Sequence, residues 1–203
     1  MSPIPLVLAS SSPYRKQILE RINIPFTTYS PDIDESAHKN ESAKELVTRL
    51  TGEKAWATKE NFPNHLIISS DQVATLDDGT ILTKPHTHEN AIKQLKKCNS
   101  KTITFLTGLS LLNSNTNKQQ LIVEPFEVTF RSLSDSEIEN YLRIEKPYDC
   151  AGSFKVEGLG ICLFEKLNGN DINALVGLPL IRLLELLRNE SINPLIIPPP
   201  RHI

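Results

Sequence analysis

An α/β or mixed α+β fold, built on a sheet that is not purely parallel, is predicted, and two observations predict it. Helix and strand signals alternate through the first half of the chain, the pattern of strands packed beneath helices. Hairpin signals then take over in the middle, so part of the sheet is antiparallel rather than wholly parallel.

The first strand is the apolar run from Leu6, which stops at Ser10-Ser11-Ser12-Pro13. Ser12 suits a helix N-cap and Pro13 the first helical turn. Ile18, Leu19, Ile22 and Ile24 then supply an amphipathic pattern. Phe26–Tyr29 reads as a short strand and Pro31–Glu35 as an acidic loop. Ser42-Ala43-Lys44-Glu45 is a capping box that opens a helix to about Lys59. His65–Val73 reads as a buried strand that turns polar at its end. Asp77-Asp78-Gly79 is a hairpin turn, and Thr83-Lys84-Pro85 stops the return strand. Thr87 begins a helix carrying Ala91, Ile92 and Leu95. Ile103–Leu112 and Leu121–Phe130 form a strand pair joined by the polar stretch Asn113–Asn117. Ser134-Asp135-Ser136-Glu137 is a second capping box, before a short helix with Ile138, Tyr141 and Leu142. Gly152–Gly160 is expected as a glycine-punctuated loop, Ile161–Leu167 as a strand and Pro179–Arg188 as a leucine-rich helix. The proline-rich tail from Pro194 is expected to be peripheral.

The 203 residues fit one domain, or two small lobes, on a prior of about 100–200 residues per domain. A formal net charge of −2 argues against a nucleic-acid coat but allows a local basic pocket. No apolar run approaches the ~20 residues that span a bilayer, so no membrane partner is expected. No basic segment precedes the first apolar run, so no signal peptide is expected either. Cys98, Cys150 and Cys162 are scattered and odd in number, which suits small core thiols in a reduced, cytoplasmic chain.

Chemistry concentrates at a few positions. Arg15 and Lys16 follow the Ser12 cap, where cations oppose the positive end of a helix dipole. A bound anion would reverse that penalty, and free backbone N–H groups, three hydroxyls and two cations suit a phosphate; alternatively both side chains are simply solvated. Asp71 closes an apolar strand, where it could hold a metal, act as a general base or cap a turn. Lys54 follows Leu50 by four residues, on the stripe of Leu46, Val47, Leu50 and Ala57. A cation on that buried face needs a partner or a pocket, unless its head snorkels to solvent. Pro85 biases Lys84 toward extended backbone, from which it can project into a cleft. Asp34 and Glu35, with Asp71, could bind Mg²⁺ or Mn²⁺ through oxygen, or form an ordinary acidic turn. The glycines around Glu157 permit close backbone approach to a ligand. His86-x-His88 lacks further ligands and is set aside as a metal site.

Taken together, these residues resemble the Maf family of nucleoside triphosphate pyrophosphatases. The resemblance rests on Ala9-Ser10-Ser11-Ser12-Pro13-x-Arg15, Asp34-Glu35, Glu53-Lys54-Ala55, Ser70-Asp71-x-Val73 and Lys84-Pro85. Thr107-Gly108, Ala151-Gly152-Ser153 with Glu157-Gly158, and Val176-Gly177-Leu178-Pro179 complete it, in order along nearly the whole chain. It implies one Maf/ITPase-like domain over 1–203, an elongated sheet with two lobes around a central cleft, in a cytoplasmic homodimer. It also implies a divalent metal and cleavage of a nucleotide between its α and β phosphates. By position, Asp71 becomes the catalytic base, Glu35 and Asp71 the metal ligands, and Ser10, Arg15, Lys54 and Lys84 the triphosphate holders. Tyr14, Gln72 and Glu157 resemble the 7-methyl-GTP branch, whereas dTTP- and UTP-preferring members carry Arg, Thr and Gln there. The branch has Trp where Tyr14 stands. An aromatic face attracts the cationic base that N7 methylation creates, and Glu157 can accept from guanine N1–H and its amino group. A dTTP/UTP pyrophosphatase, and a nucleotide-binding regulator of cell division without turnover, are the alternatives.

Overall fold

The computed structural model describes residues 4–196, with the tail beyond Ile196 outside the described residues. Among these residues seven strands form one mixed sheet: β1 (Leu6–Ala9), β2 (Phe26–Tyr29), β3 (Leu66–Leu76), β4 (Ile81–Leu82), β5 (Thr102–Asn113), β6 (Lys118–Phe130) and β7 (Phe164–Gly169). Their order is β2-β1-β3-β5-β6-β7, with β4 beside β3. β1 pairs in parallel with β2 and β3, and every other pairing is antiparallel. Among the described residues six α-helices flank the sheet: α1 (Pro13–Glu20), α2 (Ala43–Lys59), α3 (His88–Cys98), α4 (Asp135–Glu145), α5 (Ile172–Val176) and α6 (Leu180–Asn189).

Local chemistry explains the helix starts. Ser12 accepts from the Arg15 N–H, Thr87 accepts from Asn90, and both capping boxes close reciprocally at Ser42/Glu45 and Ser134/Glu137. Strand parity assigns the helices to faces. Leu6 and Leu8 pack with Leu66, Ile68, Leu109 and Leu111 beneath α1 and α6. Val7, Ala9 and Ile67 face the opposite side, with Ala55 of α2. A separate cluster under α3 and α4 gathers the far halves of β3, β5 and β6 around Phe105, Phe126 and Phe130.

Four expectations need correction. The strand beginning near His65 does not end at Asp71 or Val73; it runs to Leu76, because β5 pairs with it along its whole length. The Gly152–Gly160 segment is not an unstructured loop. It is bracketed by 3₁₀ turns at Ala151–Ser153 and Leu159–Leu163, which displace the start of the following strand from Ile161 to Phe164. The five-residue α5 was not anticipated, being too short for a periodic signal. On α2, Thr51, Ala55 and Thr58 complete the buried stripe, while Ala57 is only half-buried.

The register leaves a gap in the middle of β3. On one side β5 pairs throughout; on the other, β1 stops at Ala9 opposite Ser69, and β4 begins only opposite Ala74. Ser70–Val73 therefore has no neighbouring strand on that edge. Asp71 and Gln72 sit beside the carboxyl end of a parallel strand, where α/β sheets place their ligands.

Candidate active site

A cavity of about 440 Å³ opens against this edge. Ser10, Tyr14, Arg15, Glu35, Lys54, Asp71, Gln72, Lys84 and Glu157, which the chain scatters over nearly 150 positions, all line it.

Lys54 is buried, and the direction of its head is plain. Its Nζ lies 2.5 Å from Asp71 Oδ1 and 2.8 Å from Glu35 Oε1. Asp71 faces α2 because it shares strand parity with Ile67 and Val73, the residues that pack on that side. What brings α2 close enough is Gly108, which pairs with Asp71 across β3 and β5. A Cβ at Gly108 would lie 2.1 Å from Thr51 Oγ1 and 3.0 Å from Val47 O, so only glycine lets the helix lie this near. The Ser69 hydroxyl adds a bond to Thr51 O at 2.7 Å.

Glu35 arrives from the loop before α2, and Asp34 does not accompany it. Asp34 Oδ1 accepts from its own Ser36 N–H at 2.9 Å, closing a local turn. Arg49 then clamps that turn, donating to Ser36 O and to both oxygens of Glu41. The expected Asp34–Glu35 pair is thereby split, and Glu35 alone reaches the cavity. Burial raises its carboxyl, but Lys54, Lys84 and Arg15 outweigh that and hold it below the usual carboxylate range.

The β1–α1 turn also departs from expectation. Two of its backbone donors are already spent: Ser12 N–H bonds Ser10 Oγ and Arg15 N–H bonds Ser12 Oγ. Lys16 points away toward Glu20. Arg15 is the cation this turn contributes. Its Nε donates to Gly177 O at 2.9 Å, and Nη1 stands 3.5 Å from Ser10 Oγ. Burial lowers its pKa, with Asp71 and Glu35 opposing. Lys84 is exposed at the rim and forms no ion pair among the described residues.

The far wall combines Tyr14 with the segment from Asp149 to Glu157, and Phe105 and Phe154 stack edge-to-face beneath it. Burial raises the Tyr14 hydroxyl, helped by Cys150, Asp149 and Glu157 against Lys155. Burial also pushes the Cys150 thiol up to about 12, which leaves it a poor nucleophile. Gln72 is engaged elsewhere than expected. Its amide nitrogen donates to Thr107 Oγ1, Ala174 O and Leu175 O. Ser70 Oγ bonds Gly177 O, and Thr107 Oγ1 bonds Ala174 O. These bonds satisfy the last carbonyls of α5 and anchor the turn at Gly177, whose φ of +115° favours glycine. Asp149 and Cys150 are cavity residues that sequence reasoning did not single out, because no local pattern distinguishes them; Ser70 and Thr107, motif residues with no role assigned from sequence, serve to anchor α5 and its turn. His88, by contrast, bonds Tyr148 and Glu139, so that ring has a structural use.

Glu35 and Asp71, meeting on one ammonium, suit a hard divalent cation. Mg²⁺ commonly takes one or two carboxylates and fills its shell with water and phosphate oxygens. Among the described residues no group of three or more His, Cys, Asp or Glu could hold a metal ion, so the described residues offer two carboxylates rather than a full cage.

Fold and cavity together define an α/β protein with a mixed-charge cleft suited to a phosphorylated ligand. Residues 5–190 match the family model described as Maf-like protein. The chain is 55% identical to 7-methyl-GTP pyrophosphatase of Pseudomonas aeruginosa over 187 residues, covering 92% of this chain and 97% of that one. It is 54% identical over 188 residues to the proteins of that name from Pseudomonas savastanoi pv. phaseolicola and Colwellia psychrerythraea, covering 93% of this chain and 97% and 94% of theirs. The chain belongs to the Maf family.

Proposed function

We propose that this chain is a metal-dependent nucleoside triphosphate pyrophosphatase that hydrolyses 7-methyl-GTP between its α and β phosphates. The products are 7-methyl-GMP and diphosphate, and the reaction removes a modified nucleotide from the pool. The observation that carries the reading is the convergence of Asp71, Glu35 and Lys54, with Arg15 and Lys84 nearby, in one cavity. Relatives more than half identical over nearly their full length bear that activity's name.

Phosphoryl transfer depends on positioning and charge neutralisation more than on covalent chemistry. Arg15, Lys54 and Lys84 bind the triphosphate, assisted by the Ser10 hydroxyl. Asp71 orients the attacking water and takes its proton. Glu35 and Asp71 would hold Mg²⁺ or Mn²⁺, which when bound would offset charge on the phosphate oxygens. The base lies toward Tyr14 and Glu157. The aromatic face and the acceptor-only carboxylate favour a cationic, donor-bearing purine. Gln72 keeps only its Oε1 for such contact, since its donors hold α5. Action in the cytoplasm as a homodimer fits this reading. Among the described residues no helix is long and apolar enough to cross a membrane.

Diphosphate release with Mg²⁺ or Mn²⁺, compared across 7-methyl-GTP, GTP, dTTP, UTP and ATP, tests the proposal. A preference for 7-methyl-GTP, abolished by a chelator, is expected. Preference for dTTP or UTP would overturn the base reading, and binding without release from any of them would overturn the enzyme reading.

A further inference from the structure

The two carboxylates suited to a metal are already held by a cation of the protein itself. Lys54 Nζ touches Asp71 at 2.5 Å and Glu35 at 2.8 Å, and the side chain is buried. An ammonium on one oxygen of each carboxylate competes with a divalent ion, which seeks the same two carboxylates at about 2.0–2.1 Å, and repels it by like charge. Nor can the ammonium retreat cheaply. Its helix is wedged onto the sheet at Gly108, and a buried ammonium without a partner is costly. Arg15 and Lys84 add like charge, since both act on Glu35. A triphosphate changes each of these terms at once: its oxygens give Lys54 another partner, complete a metal's shell and offset the surplus positive charge.

We propose that Lys54 is a stand-in cation. It holds Glu35 and Asp71 together in the nucleotide-free protein, keeps a free divalent ion out, and turns to the phosphates when metal and nucleotide enter together. The inference rests on the proposed function only in taking a metal–triphosphate complex as the ligand.

Free Mn²⁺ is titrated against the full chain without nucleotide and followed by its electron paramagnetic resonance signal. The wild type should bind weakly. Lys54→Met should bind at least tenfold more tightly, and adding Glu35→Gln to it should remove the gain. Wild-type binding as tight as that of the variant, or no gain in the variant, overturns the proposal. A thermal melt reports whether Lys54→Met is folded. If it is not, the wild type decides: an uncleavable α,β-methylene analogue of 7-methyl-GTP should raise retention of Mn²⁺ above the sum for protein and analogue measured apart. Simple additivity would refute the exchange. Diphosphate release is scored separately, so failure of the enzyme reading and failure of the Lys54 inference give different results.

Discussion

Replacing Gly108 with alanine tests how the site is assembled, at a residue that touches no part of the substrate. The new Cβ would stand 2.1 Å from Thr51 Oγ1, 3.0 Å from Thr51 Cβ and 3.0 Å from Val47 O. Thr51 cannot simply rotate away at no cost, because its hydroxyl bonds Val47 O at 2.6 Å. Ordinary contact therefore requires α2 to lift from the sheet by roughly 1 Å. Overpacking of this kind costs about 1–3 kcal/mol, or on the order of 2–12 °C in Tm for a chain of this size. The larger effect falls on chemistry. Lys54 lies one helical turn beyond Thr51, and a shift of ~1 Å breaks its contacts with Asp71 and Glu35. Misplacement on that scale costs about 10²-fold in rate. Thermal denaturation and diphosphate release on the same preparation measure both effects. Thr51→Ala removes the closest clash and leaves only tight 3.0 Å contacts, so the double variant should recover much of the lost activity. Full activity and unchanged Tm in Gly108→Ala, or no recovery in the double variant, would show that close approach of α2 is not what sets the lysine.

Other outcomes follow from the same geometry. Asp71→Asn should lower kcat by about 10²–10⁴-fold while titration calorimetry still detects nucleotide binding; full turnover would remove the carboxylate from the mechanism. Arg15→Ala should raise KM and also loosen the Gly177 turn that it bonds, read as faster hydrogen exchange in α5. The Ser134 N–H, Arg131 and the Ser134 hydroxyl hold the Glu137 carboxyl at about 2 against an ordinary 4.5. The folded chain thus takes up that proton less readily than the unfolded one. Its contribution is complete above about pH 4.5 and is lost as pH falls toward 2; Glu137→Gln should flatten the acid dependence of Tm over that window. Cys98 is fully buried and, like Cys150, has its thiol pushed up to about 12. Alkylation at pH 8 followed by mass spectrometry should mark the exposed Cys162 and spare Cys98.

Much of this molecule is legible in short stretches of chain. Ser12, Ser42, Thr87 and Ser134 announce helix starts because a cap is a bond to an N–H two or three residues away. Apolar runs at Leu6 and Leu66 identify the central strands because burial on both faces removes alternation. The residues brought together in the cavity were nameable as well, since their types suit phosphate and metal and their motifs follow one another in order. What the chain could not display was which partner each side chain meets. Asp34 and Glu35 are adjacent and chemically alike, yet a turn bond holds one outside and an ion pair draws the other in. Gln72 reads as a ligand-facing amide until α5, a hundred residues later, takes its donors. Gly108 carries no chemistry, but its missing Cβ sets the distance between Lys54 and Asp71. Caps and strand runs depend on neighbours in sequence, so they can be read one segment at a time. Pairing depends on the register of β3 against β1, β4 and β5, and no residue carries that information until the sheet has formed.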